Sequence, residues 1–156
     1  RCSAMPIPEP QFDELYRELI LDHYRRPRNR GVLVAPTQRA EGMNPVCGDE
    51  IQLDLRIDCD TIEDVAFRGQ GCSISQSSAS LMTECVKGRA IAEAERISAK
   101  FRAMLNGEKP DRELGDLEAL QGVAQFPVRV KCALLCWKVL EEGLSQAKNE
   151  RKEATA

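Results

Sequence analysis

The stretch that decides the fold is 51-IQLDLRIDCDTIEDVAFR-68. Its first half alternates apolar and polar residues, and the apolar set is Ile51, Leu53, Leu55 and Ile57. Such alternation is typical of a strand with one buried face. A turn at residues 58–61 separates this strand from a second one over residues 62–68. We therefore expect an antiparallel hairpin, and a weaker pattern at residues 38–43 predicts a third strand.

Helical periodicity surrounds this hairpin on both sides. The predicted helices cover residues 13–25, 75–88, 92–105, 116–121 and 127–147. Because the strands and most of the helices are segregated along the chain, we predict an α+β fold: a small three-stranded antiparallel sheet with about five helices packed mainly on one face. The domain is expected to span residues 12–147, between a disordered tail at 1–11 and a charged, frayed tail at 148–156.

Composition restricts the classes of function. The 156 residues carry a net charge of −3, which argues against a nucleic-acid-binding protein. No apolar run approaches the roughly 20 residues that span a bilayer, and the first ten residues lack the apolar region of a signal peptide. We therefore expect a cytoplasmic protein without a membrane partner. Seven cysteines in a reducing compartment favour metal binding or reactive thiols over disulfides.

Three of these cysteines lie near the ends of predicted elements. Cys47 precedes a strand, Cys72 follows a strand, and Cys132 lies in the first turns of the last helix. Gly48 allows Cys47 and Asp49 to turn toward the same point. The sequence therefore predicts one metal site formed by Cys47, Asp49, Cys72 and Cys132.

Three thiolates and one carboxylate suit a tetrahedral zinc ion, and the thiolates also suit an iron–sulfur cluster. The carboxylate is the more exchangeable donor, which favours a site that turns over. The alternative interpretation makes each cysteine a small core residue and Asp49 a solvated turn residue. Among the other candidates, Cys59 is expected to be incidental, Cys85 and Cys136 to lie in the core, and His23 to pack near the end of the first helix.

The same residues carry a resemblance to a known family. The stretches concerned are LDHYRRPRN (21–29), NPVCGD (44–49), GQGCSIS (69–75) and VRVKCA (128–133). Over about residues 15–144 the chain resembles the IscU/NifU-like iron–sulfur cluster assembly proteins, with a SufE/NifU-like fold, and is most similar to the SufU branch. Lys131 stands where the scaffold branch has histidine, and the segment at 89–122 is longer than in that branch.

The resemblance implies a bound zinc ion and a sulfur acceptor that works beside a cysteine desulfurase (SufS-like) and supplies downstream assembly or recipient proteins. We take Cys47 as the persulfide acceptor. Arg129, one helical turn before Cys132, either stabilises sulfur charge or is a solvated surface residue. As an enzyme the protein would be at most a zinc-dependent sulfurtransferase partner of the desulfurase.

Two rival hypotheses stay open. In the first, Cys47, Cys72 and Cys132 hold a transient [2Fe–2S] cluster that the protein assembles and hands on as a scaffold. In the second, from another functional class, the chain is a zinc-stabilised interaction module without chemistry of its own.

Overall fold

The computed structural model describes residues 14–155, with side chains described for residues 16–154. Its elements are helix α1 (Glu14–Arg25), strands β1 (Gln38–Asn44), β2 (Asp49–Asp58) and β3 (Thr61–Gln70), helices α2 (Ser73–Val86) and α3 (Ile91–Leu105), a 3₁₀ segment (Arg112–Gln125) and helix α4 (Pro127–Thr155). The tail predicted at residues 1–11 lies outside the described residues. Within the described part of the chain, no helix is both long and apolar enough to cross a bilayer.

The three strands form one antiparallel sheet in the order β1-β2-β3. Leu53 in the central strand pairs with Ala40 on one side and with Phe67 on the other. Ile51, Leu53 and Leu55 are buried on one face, as their alternation predicted. The hairpin and the weakly indicated first strand are both confirmed.

Helices cover this apolar face. Helix α4 packs on β1 and β2, and α2 packs on β3 and against α1. Glycines make the close approach of α4 possible, since a Cβ atom on Gly42 would lie 2.8 Å from Val139 Cγ2, and one on Gly143 would lie 2.7 Å from Leu55 Cδ1. The predicted α+β fold, with helices mainly on one face, is therefore confirmed.

A connecting strap, residues 29–34, pairs with the outer edge of β3 at Arg30 and then crosses the face of the sheet opposite the helices. The Gly31 N–H donates to the Phe67 carbonyl oxygen, and the Leu33 N–H donates to Asp54 Oδ2 at 3.1 Å. Asp54 is fully buried, and the strap N–H together with flanking arginines compensates its charge. The strap is thus fixed to the sheet.

The last two helical segments differ from the sequence-based prediction in their boundaries. Helix α4 continues to Thr155 instead of ending at Ala147, so residues 148–155 are helical where a frayed tail was expected. The reason is tertiary contact: Lys148 pairs with Glu95 at 2.7 Å, and Glu150 accepts a hydrogen bond from Gln38. The 3₁₀ segment is also longer than the helix predicted at residues 116–121. The division into one domain at 12–147 with flanking tails stays a prediction.

Candidate metal centre

The turn between β1 and β2 carries two of the predicted donors. Asn44 ends β1 and pairs directly with Asp49, the first residue of β2, so the four residues between them form a closed turn. Gly48 has φ +71°, a left-handed conformation that glycine adopts without strain. Cys47 and Asp49 are therefore held at the same end of the sheet.

Cys132 of α4 reaches this turn from the other side. One donor atom each from Cys47, Asp49 and Cys132 lies within 4.8 Å of the other two. Asp49 and Cys132 are fully buried, whereas Cys47 is half-buried. The structure thus brings together three of the four predicted donors, and their role as metal ligands stays a prediction.

Cys72 contacts the group through Asp49, although its thiol is not among the three donor atoms that lie within 4.8 Å of one another. Its backbone N–H donates to Asp49 Oδ1 at 3.0 Å. Its thiol caps the N-terminus of α2 by accepting the Ser75 N–H at 3.5 Å. Helix α2 therefore begins two residues earlier than predicted, at Ser73, with a cysteine as its cap.

Gly71 permits the contact between Asp49 and Cys72. A Cβ atom at this position would lie 2.4 Å from Asp49 Oδ1 and 2.6 Å from Ser75 Oγ, and the backbone has φ +154°. Any side chain would therefore displace the Asp49 carboxylate.

Arg129 places a positive charge beside the thiols. Its half-buried guanidinium lies next to the thiol of Cys72 and close to Cys132 and Cys47. Burial alone would lower the pKa of Arg129, but the three thiols outweigh burial and raise it. The guanidinium is thus placed to stabilise negative charge on sulfur.

The charges of the centre fit a divalent cation. Burial raises the pKa of the Cys132 thiol, and the adjacent Asp49, Cys47 and Cys72 raise it further. Without a cation the Cys132 thiol therefore resists ionisation. A tetrahedral zinc ion needs donor atoms about 3.5–4 Å apart, and the three donor atoms here lie within 4.8 Å of one another. The donor set of sulfur and carboxylate oxygen suits zinc.

Sequence analysis missed one residue of this centre. The Asn44 side chain is buried, and its Nδ2 lies 3.5 Å from Asp49 Oδ2 and 3.9 Å from Cys132 Sγ. Its Oδ1 accepts the Val46 N–H at 3.3 Å. An available signal was the Asn-Pro pair three residues before Cys47, because asparagine at such a position often binds the backbone of its own turn.

The remaining candidates lie elsewhere, and no second group of three potential metal donors occurs among the described residues. Cys136 is buried in the core with its sulfur 3.4 Å from Ser78 Oγ, and Cys59 is exposed in the hairpin turn. Cys85 is only half-buried. His23 is buried, with Nδ1 2.7 Å from Ser80 Oγ.

Comparison with known proteins gives consistent results. The family model described as "NifU-like N terminal domain" matches residues 15–153. The chain is 49% identical over 137 residues to the zinc-dependent sulfurtransferase SufU of Bacillus subtilis, covering 86% of this chain and 92% of that protein. It is 40% identical over 141 residues to the iron–sulfur cluster assembly scaffold protein IscU of Streptococcus pyogenes, covering 89% and 88%.

Solved structures agree on the fold. A protein of Fervidobacterium islandicum, whose proposed role is iron–sulfur cluster assembly scaffold for the SUF system, matches with a TM-score of 0.78 and 38% identity. That match covers 81% of this chain and 94% of the other. The N-terminal part of a NifU-like protein from Brucella abortus matches with a TM-score of 0.80 over 86% of this chain and 94% of the other. At 23% identity, the second match bears on the fold alone.

Proposed function

Since the chain belongs to the family of NifU-like N-terminal domains, we propose that it is an iron–sulfur cluster assembly protein of the SUF type that accepts sulfur, as a persulfide, from a cysteine desulfurase. The observation that carries the proposal is the convergence of Cys47, Asp49 and Cys132, distant in sequence, on one point beside Cys72. The similarity to a zinc-dependent sulfurtransferase supports it. A cytoplasmic location belongs to the same proposal.

The four residues Cys47, Asp49, Cys72 and Cys132 would hold zinc. A bound zinc ion would keep the thiols deprotonated at neutral pH and hold them together until a sulfur donor arrives. Asp49 is the exchangeable donor, because a carboxylate is a harder ligand than a thiolate. Both of its oxygens already accept hydrogen bonds, from the Cys72 N–H and the Asn44 amide, so the carboxylate stays oriented toward the centre even when it is not bound to the metal.

Cys47 is the acceptor thiol in this proposal. It is half-buried in a turn, whereas Cys132 is fully buried and the Cys72 thiol caps α2. The Cys47 thiolate attacks the outer sulfur of the persulfide on the desulfurase. A new S–S bond forms at Cys47, the S–S bond of the donor breaks, and the desulfurase cysteine leaves as a thiolate. The step needs no added oxidant or reductant.

Arg129 supports the product of this step. The persulfide formed on Cys47 carries a negative charge on its outer sulfur. The guanidinium beside the three thiols offers a fixed positive charge there, within a partly buried site where the attraction is stronger than in water.

The test uses a pyridoxal-phosphate-dependent cysteine desulfurase and two cysteine variants. Cys47→Ala should abolish both the stimulation of desulfurase turnover and the persulfide recovered on this protein. Cys59→Ala is the matched control, because it removes an exposed thiol from the distant hairpin turn and should leave both readouts unchanged. Normal stimulation by the Cys47 variant would refute the assignment. Zinc content, measured on the same preparations, reports whether the centre is intact.

A scaffold function is the second candidate, favoured by the thiols of Cys47 and Cys132 at the centre, with Cys72 beside them around Arg129, and by the similarity to a scaffold protein. In that case Cys47, Cys72 and Cys132 would bind a transient [2Fe–2S] cluster for delivery to recipient proteins. Anaerobic reconstitution separates the candidates. A brown cluster that transfers to an apo-ferredoxin favours the scaffold, and tightly bound zinc without a transferable cluster favours sulfur transfer.

A non-catalytic zinc-stabilised module makes a different prediction. Asp49→Cys would then preserve function, because a fourth thiolate closes a structural zinc site at least as well as a carboxylate does. Under the sulfur-transfer proposal, the same variant should bind zinc but lose desulfurase stimulation.

A further inference from the structure

The side-chain amide of Asn44 contacts three parts of the metal centre at once. It is 92% buried, and all of its polar atoms are engaged. The Nδ2 group has two hydrogens, and it faces both Asp49 Oδ2 and Cys132 Sγ, at 3.5 Å and 3.9 Å. Oδ1 accepts the Val46 N–H, which shapes the turn that carries Cys47.

These contacts affect the three thiols unequally. A sulfur that accepts an N–H hydrogen bond holds its electron pair more tightly and attacks a persulfide more slowly. Cys132 accepts such a bond from Asn44, and Cys72 accepts one from the Ser75 N–H. For Cys47 the structure gives no N–H donor among the described residues. Of the three thiols, Cys47 is therefore the one whose attack on a persulfide no N–H hydrogen bond slows.

We propose that Asn44 is a positioning residue that selects Cys47 as the sulfur acceptor, by occupying the sulfur of Cys132 and by holding the Asp49 carboxylate. The inference rests on the proposed function. It adds a residue that neither touches the donor persulfide nor binds the metal, and that acts through Cys132 and Asp49.

The absence of this amide opens a competing reaction. The Cys132 thiolate then attacks the outer sulfur of the persulfide on Cys47. A new S–S bond forms at Cys132, the S–S bond at Cys47 breaks, and Cys47 leaves as a thiolate. The sulfur moves to a fully buried residue, from which a recipient protein collects it less easily.

Two variants test the proposal. Asn44→Asp is isosteric and keeps the acceptor for the Val46 N–H, but it loses both amide donors. Asn44→Leu has a similar volume and loses every polar contact. Gln70→Leu is the matched control. It removes an exposed amide near the same end of the sheet, which donates a hydrogen bond to the Glu50 carboxylate at 2.9 Å. Circular dichroism identifies the variants that fold. If Asn44→Leu does not fold, the result for Asn44→Asp decides the test.

The first readout is the position of the sulfur. The zinc-loaded protein is mixed once with a persulfide-loaded cysteine desulfurase, alkylated, digested and analysed by mass spectrometry. In the wild type and in the Gln70 variant the persulfide should be on Cys47. In the Asn44 variants the share on Cys132 should rise about tenfold. A merely structural role would lower the total yield without moving the sulfur between cysteines.

The second readout is zinc affinity, measured by competition with a chromophoric chelator, which needs no desulfurase. The loss of a hydrogen bond to a metal ligand should weaken zinc binding about 10–100-fold in Asn44→Leu, which adds no new donor. If the sulfur stays on Cys47 in a folded Asn44 variant, the proposal that Asn44 selects the acceptor is wrong, whatever the zinc affinity of that variant. A wild-type protein that takes no sulfur at all overturns the proposed function, and the selection with it.

Discussion

Replacing Gly71 with alanine should damage the metal centre without touching any donor residue. Gly71 lies between Asp49 and Ser75, at the point where the Cys72 N–H reaches the Asp49 carboxylate. An added Cβ atom would lie 2.4 Å from Asp49 Oδ1. Because a carbon–oxygen contact needs about 3.2 Å, the carboxylate must move by about 0.8 Å. That movement breaks or stretches the 3.0 Å hydrogen bond from Cys72.

The expected effect on zinc follows from this displacement. Loss of an outer hydrogen bond that orients a ligand lowers metal affinity about 10–100-fold, which corresponds to about 1.4–2.8 kcal/mol. The strained backbone adds a cost in folding stability of about 1–3 kcal/mol, since φ at this residue is +154°. Zinc affinity and folding stability should therefore both fall.

Gly31→Ala separates the two effects. Gly31 has nearly the same backbone conformation, with φ +148°, but a Cβ atom there meets nothing within 4 Å. This variant should lose comparable stability and keep its zinc affinity. The assays are zinc competition with a chromophoric chelator and urea unfolding with and without the metal. Equal zinc affinity in the two alanine variants would show that the contact of Gly71 with Asp49 does not matter.

Two further perturbations test buried residues that lie outside the centre. Burial, together with the charge of Arg28, lowers the pKa of His23 below its ordinary value of 6.5. Below pH 6.5 the unfolded chain therefore binds a proton at His23 that the folded protein does not yet bind. The stability of the folded protein consequently falls as the pH falls. His23→Gln should flatten the slope of unfolding free energy between about pH 7 and 5, by at most about 1.4 kcal/mol per pH unit, and an unchanged slope in urea titrations would contradict this. Cys136→Ala should cost about 1 kcal/mol of stability through the small cavity it leaves, and it should keep full zinc content by metal analysis; a loss of zinc would place Cys136 in the centre.

Periodicity is what made the fold predictable. The alternation at Ile51, Leu53 and Leu55 reports a sheet face directly, because a strand has a period of two and only one face of this sheet is apolar. The extension of α4 beyond Ala147 was not predictable in the same way. Its last turns are charged, and they are held by Glu95 and Gln38, which are far away in the sequence.

The candidate centre was predictable in its residue types and less so in its arrangement. Cysteines next to glycines at element ends suggested convergence, and the structure brings the donors of Cys47, Asp49 and Cys132 together. The contribution of Asn44 was missed, because a hydrogen bond to a residue on another element leaves no local pattern. The cap formed by Cys72 was also missed, because serines close by are the more usual helix caps.

The long sequence separation within the centre has a consequence for the newly made chain. Asn44 and Cys132 are in contact although their positions are 88 apart in the sequence. At roughly 5–20 residues per second, a ribosome needs on the order of 4–18 s to reach Cys132 after Asn44 has been added. During that interval a nascent chain has thiols but lacks the complete set of proposed ligands, so loading of the proposed metal site must wait until α4 has been synthesised and has docked on the sheet.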